Sequence, residues 1–293
     1  MIEFNPERRT LLALMAASVV VPAARAAQSR AVLPVDTPGL DHLDVVVPDV
    51  EKSTRFYMGL FRTTLHAQPF QGAQRYFVLL GPLPPDRAVG YIAIGASRGR
   101  GTYIGHFCTG VTGWQRENPP EFVAMTERLR KAGYGEFPGS RGFGGLFNDP
   151  DGLEIQFLPS PDKLVVEAVP ADLMPSMQGL VVPRRIDHMV ANVSNLDRAV
   201  EFYRILYGRE KTRDRHSATF AFRNGSHLVL QATEYSYGKA RVGYERFGIL
   251  VAPFDRAKVE AGITALGGKV TGGDGRTLRL RDVDGIELEL VSE

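Results

Sequence analysis

The chain has 293 residues, of which 44% are hydrophobic and 23% charged, and its formal net charge is +2. These values are typical of a globular protein with room for two domains, and they give no reason to expect nucleic-acid binding. The single cysteine, Cys108, excludes an intramolecular disulfide framework and a cysteine-rich zinc site.

The first 26 residues predict an export signal. Arg8 and Arg9 precede a short apolar run that ends in the small-residue sequence Ala24-Arg25-Ala26. The arginine pair resembles a twin-arginine signal, which we favour over an ordinary secretory signal or an uncleaved anchor. We therefore expect a mature protein that begins near Ala27, works in a bacterial periplasm and meets the membrane only transiently during export.

A repeated pattern organises the rest of the chain. GLDHLDVVVPDVEKSTRFYMGLF at 39–61 and RIDHMVANVSNLDRAVEFYRILYG at 185–208 each predict an alternating strand, a turn with Asp or Asn, and an amphipathic helix. Weaker copies begin at 102 and 243, and strand-like runs broken by turn residues follow each predicted helix. We therefore predict four modules of strand, helix and about three strands, at 39–97, 102–159, 185–236 and 242–292.

A proline-rich stretch at 160–184 separates the second module from the third. Such a composition is typical of a linker between domains. The predicted domains are therefore 39–159 and 185–292, each built from two modules.

Four βαβββ modules in two pairs, with a histidine in the first strand and Asp-Gly-x-Glu opening the last strand, resemble the vicinal oxygen chelate superfamily. That superfamily includes glyoxalase I, the fosfomycin- and bleomycin-resistance proteins and the type I extradiol dioxygenases. The resemblance covers essentially the whole mature chain, and its two-domain length is most similar to the extradiol group. It implies an α+β fold in which each pair of modules forms an open, cup-shaped mixed β-sheet with outer helices. It also implies up to four ligand positions lining each cup.

At those positions the first domain offers His42, His106 and Glu154, with Ile92 at the fourth. Two histidines and a carboxylate suit ferrous iron with open coordination positions, and Mn, Zn, Ni or Co could also fit. Side chains alternate along a strand, so Asp44 shares a face with His42 and is a candidate hydrogen-bond acceptor behind a ligand histidine. The alternative is a hydrogen-bonded core histidine and a solvent-facing glutamate. We favour the metal because three ligand types occupy three matching positions.

The second domain offers His188, His227 and Glu287 at corresponding positions, but Arg246 stands where the first domain has His106. A cation at that point opposes a metal. We therefore favour a degenerate duplicate over a rearranged second metal site.

The resemblance to the extradiol group implies ferrous iron, molecular oxygen and a catechol-like or other vicinal-oxygen substrate. Two departures weaken it: Phe147 stands where that group carries a tyrosine, with no histidine upstream, and the intact site lies in the first domain. The general acid or base is therefore unknown. Two alternatives stay open: a metal-dependent lyase or isomerase related to glyoxalase, and a non-catalytic small-molecule-binding protein of the resistance type. The expected partner is a small molecule, and homo-oligomerisation is left open.

Overall fold

The computed structural model describes residues 35–70, 72–81, 90–114, 120–134, 145–159, 169–173, 179–233 and 241–293. They belong to one compact unit, Pro34–Glu293. The predicted export signal and most of the predicted linker lie outside the described residues. Within the described part of the chain, no helix is long and apolar enough to cross a membrane.

Two modules build a seven-stranded sheet in the order β2-β3-β4-β1-β5-β7-β6. The first module comprises β1 (Leu40–Val47), α1 (Val50–Leu60), β2 (Leu65–Phe70), β3 (Ala73–Leu80) and β4 (Gly90–Ala96). The second comprises β5 (Tyr103–Val111), α2 (Pro120–Lys131), β6 (Phe147–Asn148) and β7 (Glu154–Pro159). The second module therefore shows two strands after its helix rather than three, with residues 135–144 outside the described part.

The other two modules build an eight-stranded sheet in the order β13-β14-β15-β12-β8-β11-β10-β9. The third module comprises β8 (Val182–Val193), α3 (Leu196–Tyr207), β9 (Thr212–Arg213), β10 (Ser217–Ala221) and β11 (His227–Ala232). The fourth comprises β12 (Gly243–Ala252), α4 (Arg256–Ala265), β13 (Lys269–Gly273), β14 (Thr277–Arg281) and β15 (Glu287–Ser292). A short 3₁₀ helix, Ala171–Leu173, precedes them.

Local sequence explains where the helices begin. The side chains of Asp49, Asn195 and Asp255 accept hydrogen bonds from backbone amides three residues later, which caps the free N–H groups of α1, α3 and α4. The helices then bury apolar faces that include Phe56 in α1 and Phe202 in α3. The α+β fold class predicted from the repeats is confirmed.

Each sheet joins its two modules in the same way. The first strands of the two modules run antiparallel side by side at the centre, and each also pairs in parallel with the last strand of its own module. The central strands β1, β5 and β7 therefore share one face of the sheet, the face that carries the His42 side chain, which we call the first cup. The equivalent face of β8, β12 and β15 is the second cup.

The two sheets are tied together by reciprocal contacts between the turn before each last strand and a helix of the other half. Tyr203 in α3 donates its buried hydroxyl to Asp149 Oδ2 at 3.2 Å, and Tyr57 in α1 donates to Asp282 Oδ2 at 2.9 Å. Beside them, Ser194 bonds to Asp151, and Lys52 and Ser53 bond to Asp284. The turn that opens the last strand is therefore also the contact that joins the halves.

Candidate metal centre

Strand register brings two predicted ligands into the first cup. His42 in β1 lies opposite Cys108 of β5, and His106 of β5 lies opposite Asp44 of β1. On the other side of β5, Gln156 of β7 is the parallel partner of Cys108. Because side chains alternate along each strand, His42, His106 and Gln156 all point to the same face of the sheet, the first cup.

The polar atoms of these three side chains form a tight triangle. Gln156 Oε1 lies 2.9 Å from His42 Nε2 and 3.1 Å from His106 Nε2, and the two Nε2 atoms are 3.4 Å apart. Ligands about 2.1 Å from one metal ion lie about 3.0 Å apart in an octahedron and about 3.4 Å apart in a tetrahedron. The triangle therefore has the dimensions of one face of a metal coordination sphere.

The neighbouring carboxylates orient both imidazoles. Asp41 Oδ1 lies 3.0 Å from His42 Nδ1, and because a carboxylate only accepts, Nδ1 carries the proton and Nε2 presents a lone pair. Asp44 Oδ2 lies 3.9 Å from His106 Nδ1 and favours the same arrangement in the second ring. Two lone pairs 3.4 Å apart repel each other unless a cation or a hydrogen-bond donor lies between them. Gln156 Oε1, which only accepts, faces both Nε2 atoms and adds a third lone-pair atom to the group.

His106 has the protonation state that a metal requires. His42 and His106 are both buried. Burial lowers the pKa of His106 to about 3, an effect that the Asp44 carboxylate offsets only in part. His106 is therefore neutral at physiological pH, and metal binding needs no proton to be displaced from it.

Glu154, the third predicted ligand, lies beside His106 in the sheet but outside the triangle, and its role as a ligand stays a prediction. Glu154 is the first residue of β7 and is exposed, and its ligand atoms do not gather with those of His42 and His106 within 4.8 Å. Gln156 lies two residues further along the same face of β7 and is buried. The donor set that these contacts bring together is two imidazoles and one neutral amide. It fits a divalent ion in spacing and donor type, but without an anionic ligand we expect it to hold the ion less tightly.

The wall of the first cup differs from the sequence expectation at one more position. Tyr91, rather than Ile92, is the partner of His42 in the sheet, and its ring stacks on the His42 ring with centroids 4.3 Å apart. Ile92 faces the other side of the sheet. Tyr91 also belongs to a buried apolar cluster that comprises Phe77, Leu79, Tyr91 and Ala93. An apolar surface thus adjoins the three polar atoms.

Asp44, predicted as an acceptor behind a ligand histidine, has a second partner. It forms a close ion pair with Arg75. The central carbon of the Arg75 guanidinium lies 5.2 Å from the centroid of the Phe70 ring and 5.7 Å from that of the Phe77 ring. Sequence reasoning missed Arg75, which sits three strands away from β5. The ion pair holds the carboxylate beside His106 and neutralises its charge.

A second group of metal-binding residue types shares His42. Atoms of Asp41, His42 and Cys108 lie within 4.8 Å of one another. Cys108 is fully buried, and its thiol is directed to the Thr109 carbonyl at 3.6 Å. Within the described part of the chain, Asp41, His42 and Cys108 are the one group of at least three His, Cys, Asp or Glu residues whose ligand atoms lie this close together.

The second cup is filled by an ion-pair network. Glu289, the counterpart of Gln156, accepts hydrogen bonds from Arg246 at 2.9 Å and Arg279 at 2.8 to 2.9 Å, and lies 3.3 Å from His188 Nε2. The predicted alternative site of His188, His227 and Glu287 does not assemble among the described residues, because Glu287 pairs with Arg281 instead. Burial lowers the pKa of His188, but its bonds to Asp187 and Glu289 outweigh this and raise it overall. The Arg246 side chain thus stands at the position of a metal ligand, and its guanidinium supplies the positive charge that a metal ion would otherwise supply.

The comparisons with known proteins agree with this architecture. Residues 39–157 match the model of the Glyoxalase/Bleomycin resistance protein/Dioxygenase superfamily. The chain has no significant match among curated proteins.

Solved structures share the fold at low sequence identity. The 2,3-dioxygenase LapB from Pseudomonas sp. KL28 is 14% identical with a TM-score of 0.62, covering 89% of this chain and 93% of that one. An Mn(II)-bound glyoxalase from Novosphingobium aromaticivorans is 15% identical with a TM-score of 0.61, covering 88% and 83%. Homoprotocatechuate 2,3-dioxygenase from Arthrobacter globiformis is 17% identical with a TM-score of 0.60, covering 89% and 81%. These likenesses extend over both sheets and concern the fold.

Proposed function

We propose that this chain is an exported metal-dependent enzyme of the vicinal oxygen chelate superfamily, acting on a small aromatic or vicinal-oxygen substrate in its first cup. The observation that carries the proposal is the triangle of His42 Nε2, His106 Nε2 and Gln156 Oε1, with edges of 2.9 to 3.4 Å. A divalent metal bound there would act as a Lewis acid towards two neighbouring oxygens of a substrate.

The chain's own residues divide the remaining work. Asp41 holds the proton on His42 Nδ1 and so keeps Nε2 available. Tyr91 fixes the His42 ring by stacking, and with Phe77 and Leu79 it forms a buried apolar cluster beside the polar triangle. The same cluster excludes water from the polar triangle. This combination supports a substrate with an aromatic or apolar part beside its oxygens.

An extradiol-type dioxygenase using Fe(II) is the first candidate within this proposal. Its support is the pair of first-strand histidines together with the likeness of the whole two-sheet fold to several ring-cleaving dioxygenases. A glyoxalase-like lyase or isomerase is the second, because an Mn(II)-bound glyoxalase has a similar fold and the neutral Gln156 weakens the case for ferrous iron. A resistance-type binder without catalysis is the third.

Metal content decides among these candidates. Mature protein, purified without oxygen, is analysed for transition metals beside His42→Ala, His106→Ala and, as a matched control in β7, Glu154→Gln. We expect about one metal per chain in the wild type and in Glu154→Gln, and a loss in both histidine variants. No metal in the wild type, even after metal is added back, would contradict the enzymatic proposal and favour the binder.

The identity of the metal directs the next assay. Iron with oxygen uptake on catechols would support the dioxygenase, whereas manganese, zinc, nickel or cobalt with turnover in the absence of oxygen would support the lyase or isomerase. Export is tested separately, by locating the protein in cell fractions. Replacing Arg8 and Arg9 by lysine should leave it in the cytoplasm, and unchanged export would contradict the twin-arginine pathway.

A further inference from the structure

Asp44 lies between a guanidinium and a candidate ligand histidine on the face of the first cup. Its Oδ1 accepts a close hydrogen bond from Arg75, whereas its Oδ2 lies 3.9 Å from His106 Nδ1, which is longer than a hydrogen bond. The side chains of Asp44 and Arg75 are only 12% and 18% exposed, so solvent ions screen their charges little. Arg75 and His106 therefore compete for one carboxylate, and Arg75 holds it.

A glycine in β5 leaves room for this carboxylate. Gly105 is the extra residue of a β-bulge, since His106 opposes Asp44 and Ile104 opposes Val45. A methyl group on Gly105 would stand 2.6 Å from Asp44 Oδ2, which is too close for both to fit. The backbone of Gly105 is not in the left-handed region, so the glycine is explained by the space that the Asp44 carboxylate occupies beside His106.

The second half of the chain lacks all three parts of this arrangement. Strand pairing gives Val190, Glu245 and Ser217 as the counterparts of Asp44, Gly105 and Arg75, in that order. The same half has Arg246 in the place of His106. The carboxylate, the space beside it and its guanidinium therefore occur together in the half that carries the candidate metal centre. Since the shared fold does without them, they are explained by that centre.

Arg75 limits what Asp44 can do for a metal ion. A carboxylate that accepts the Nδ1 proton of a ligand histidine makes the other ring nitrogen a stronger donor to the metal. Because Arg75 holds Asp44 out of hydrogen-bond reach of His106, this support is withheld. We propose that Arg75 is a positioning residue that acts through Asp44 on His106 and weakens metal binding in the first cup, an inference that rests on the proposed metal centre. With the neutral Gln156 as third donor, the centre then exchanges its ion readily.

Metal-free protein tests the competition for Asp44 whether or not the centre binds a metal. Arg75→Met removes the charge but keeps an apolar side chain between the Phe70 and Phe77 rings. In protein with isotope-labelled histidine, we expect the Nδ1 proton resonance of His106 to move downfield in this variant, because the freed carboxylate closes the 3.9 Å gap. Arg100→Met, which removes an exposed arginine beyond β4, is the control and should leave the resonance in place. An unchanged resonance in Arg75→Met would overturn the proposal.

Metal affinity and stability should change in opposite directions, which a merely structural arginine would not cause. Arg75→Met should bind Mn²⁺ about tenfold more tightly in calorimetry. Without metal it should unfold at a lower temperature, because Asp44 loses its partner. In an Asp44→Asn background the same change should give a much smaller gain in affinity, since the effect passes through the carboxylate. Weaker Mn²⁺ binding by Arg75→Met, or an equal gain in the Asp44→Asn background, would overturn the proposal. No metal in the wild type would contradict the proposed function, and the His106 resonance would still decide which group holds Asp44.

Discussion

Tyr203 donates its buried hydroxyl to the buried carboxylate of Asp149 across the boundary between the two sheets. The same contact recurs in reverse between Tyr57 and Asp282. Each carboxylate also accepts two backbone amides of its own turn, so the tyrosine completes a set of bonds that the turn alone cannot. The two halves are therefore joined by a buried polar contact that is repeated with the roles exchanged.

We expect Tyr203→Phe and Tyr57→Phe each to lower the free energy of unfolding by about 1–2 kcal/mol, because each leaves a buried carboxylate oxygen without its donor. The two losses should add within about 0.5 kcal/mol, since the contacts share no residue. Urea unfolding measures both. Tyr134→Phe, which keeps the ring packed on Phe202, is the matched control. Equal stability of Tyr203→Phe and the control would show that the hydroxyl contributes nothing.

The Asp149 carboxyl should make stability depend on pH. Burial raises its pKa to about 6 from an ordinary value of 3.8, in spite of the lowering effect of the Leu153 and Asp151 amides. Between these values the folded state holds more protons than the unfolded state. The stability that this group contributes is therefore present at low pH and is lost as the pH rises through about 6.

Asp149→Asn removes that titration while it keeps an oxygen for the two amides. We expect its unfolding free energy to change less between pH 5 and 7 than that of the wild type, by about 1.3 kcal/mol. Unfolding in urea across this pH range measures the difference, with Asp151→Asn as the control in the same turn. Parallel pH profiles for wild type and Asp149→Asn would place the pKa of this carboxyl near its ordinary value.

A carboxylate at the third corner of the triangle should strengthen metal binding. Gln156→Glu adds a negative charge at the atom that lies between the two imidazoles, so we expect a divalent ion to bind about tenfold or more tightly. The metal-free variant should melt at a lower temperature, because the new carboxylate is buried without a cation. Competition with a chelator measures the affinity, and Glu154→Gln should leave it unchanged. If Glu154→Gln weakens the metal and Gln156→Glu does not affect it, the third ligand is Glu154 after all.

The network in the second cup should behave as a structural ion-pair cluster. Glu289 is buried, and its neighbours, chiefly His188 and Arg246, outweigh the effect of burial and lower its pKa to about 2. Its contribution to stability is thus present above about pH 4.5 and is lost as the pH falls towards 2.

Glu289→Gln should cost about 3 kcal/mol at pH 7, since it leaves Arg246 and His188 without their shared anion. Denaturant unfolding at pH 7 measures the loss. Glu287→Gln, whose glutamate pairs with the more exposed Arg281, should cost less than about 1 kcal/mol. Metal content should stay the same in both variants, and metal lost from Glu289→Gln alone would instead assign a metal site to the second cup.

The fold could be predicted because the same sequence pattern recurs along the chain. The strand before α1, its capping residue and its Phe-Tyr pair all have counterparts in and before α3. A pattern that appears twice at matching positions is hard to produce by chance. The reciprocal docking of the halves could not be predicted, because it joins residues more than 50 positions apart and leaves no periodic signal.

The candidate site was half predictable for a similar reason. His42 and His106 recur at equivalent strand positions, but a period of two places Glu154 and Gln156 on the same face of β7 and cannot say which lies deeper. The pairing of β7 with β5 sets Glu154 beside His106 and Gln156 beside Cys108, and the short contacts to both histidines come from Gln156. The second half gave no help, since glutamates occupy both corresponding positions, 287 and 289. A glutamine also attracts less notice than a carboxylate as a metal ligand.

Each half supplies a tyrosine from one of its helices to the buried aspartate in a turn of the other half, so each half completes the hydrogen bonding of the other. The second half has an arginine where a ligand would stand, yet it still supplies Tyr203 to the first half and receives Tyr57 in return. The second half is therefore needed for the stability of the first, and we expect the chain to unfold in one cooperative transition. If residues 40–159 were expressed alone, the contacts normally made with the second half would be unsatisfied. Two such fragments could then associate through these contacts and form a dimer with two identical cups.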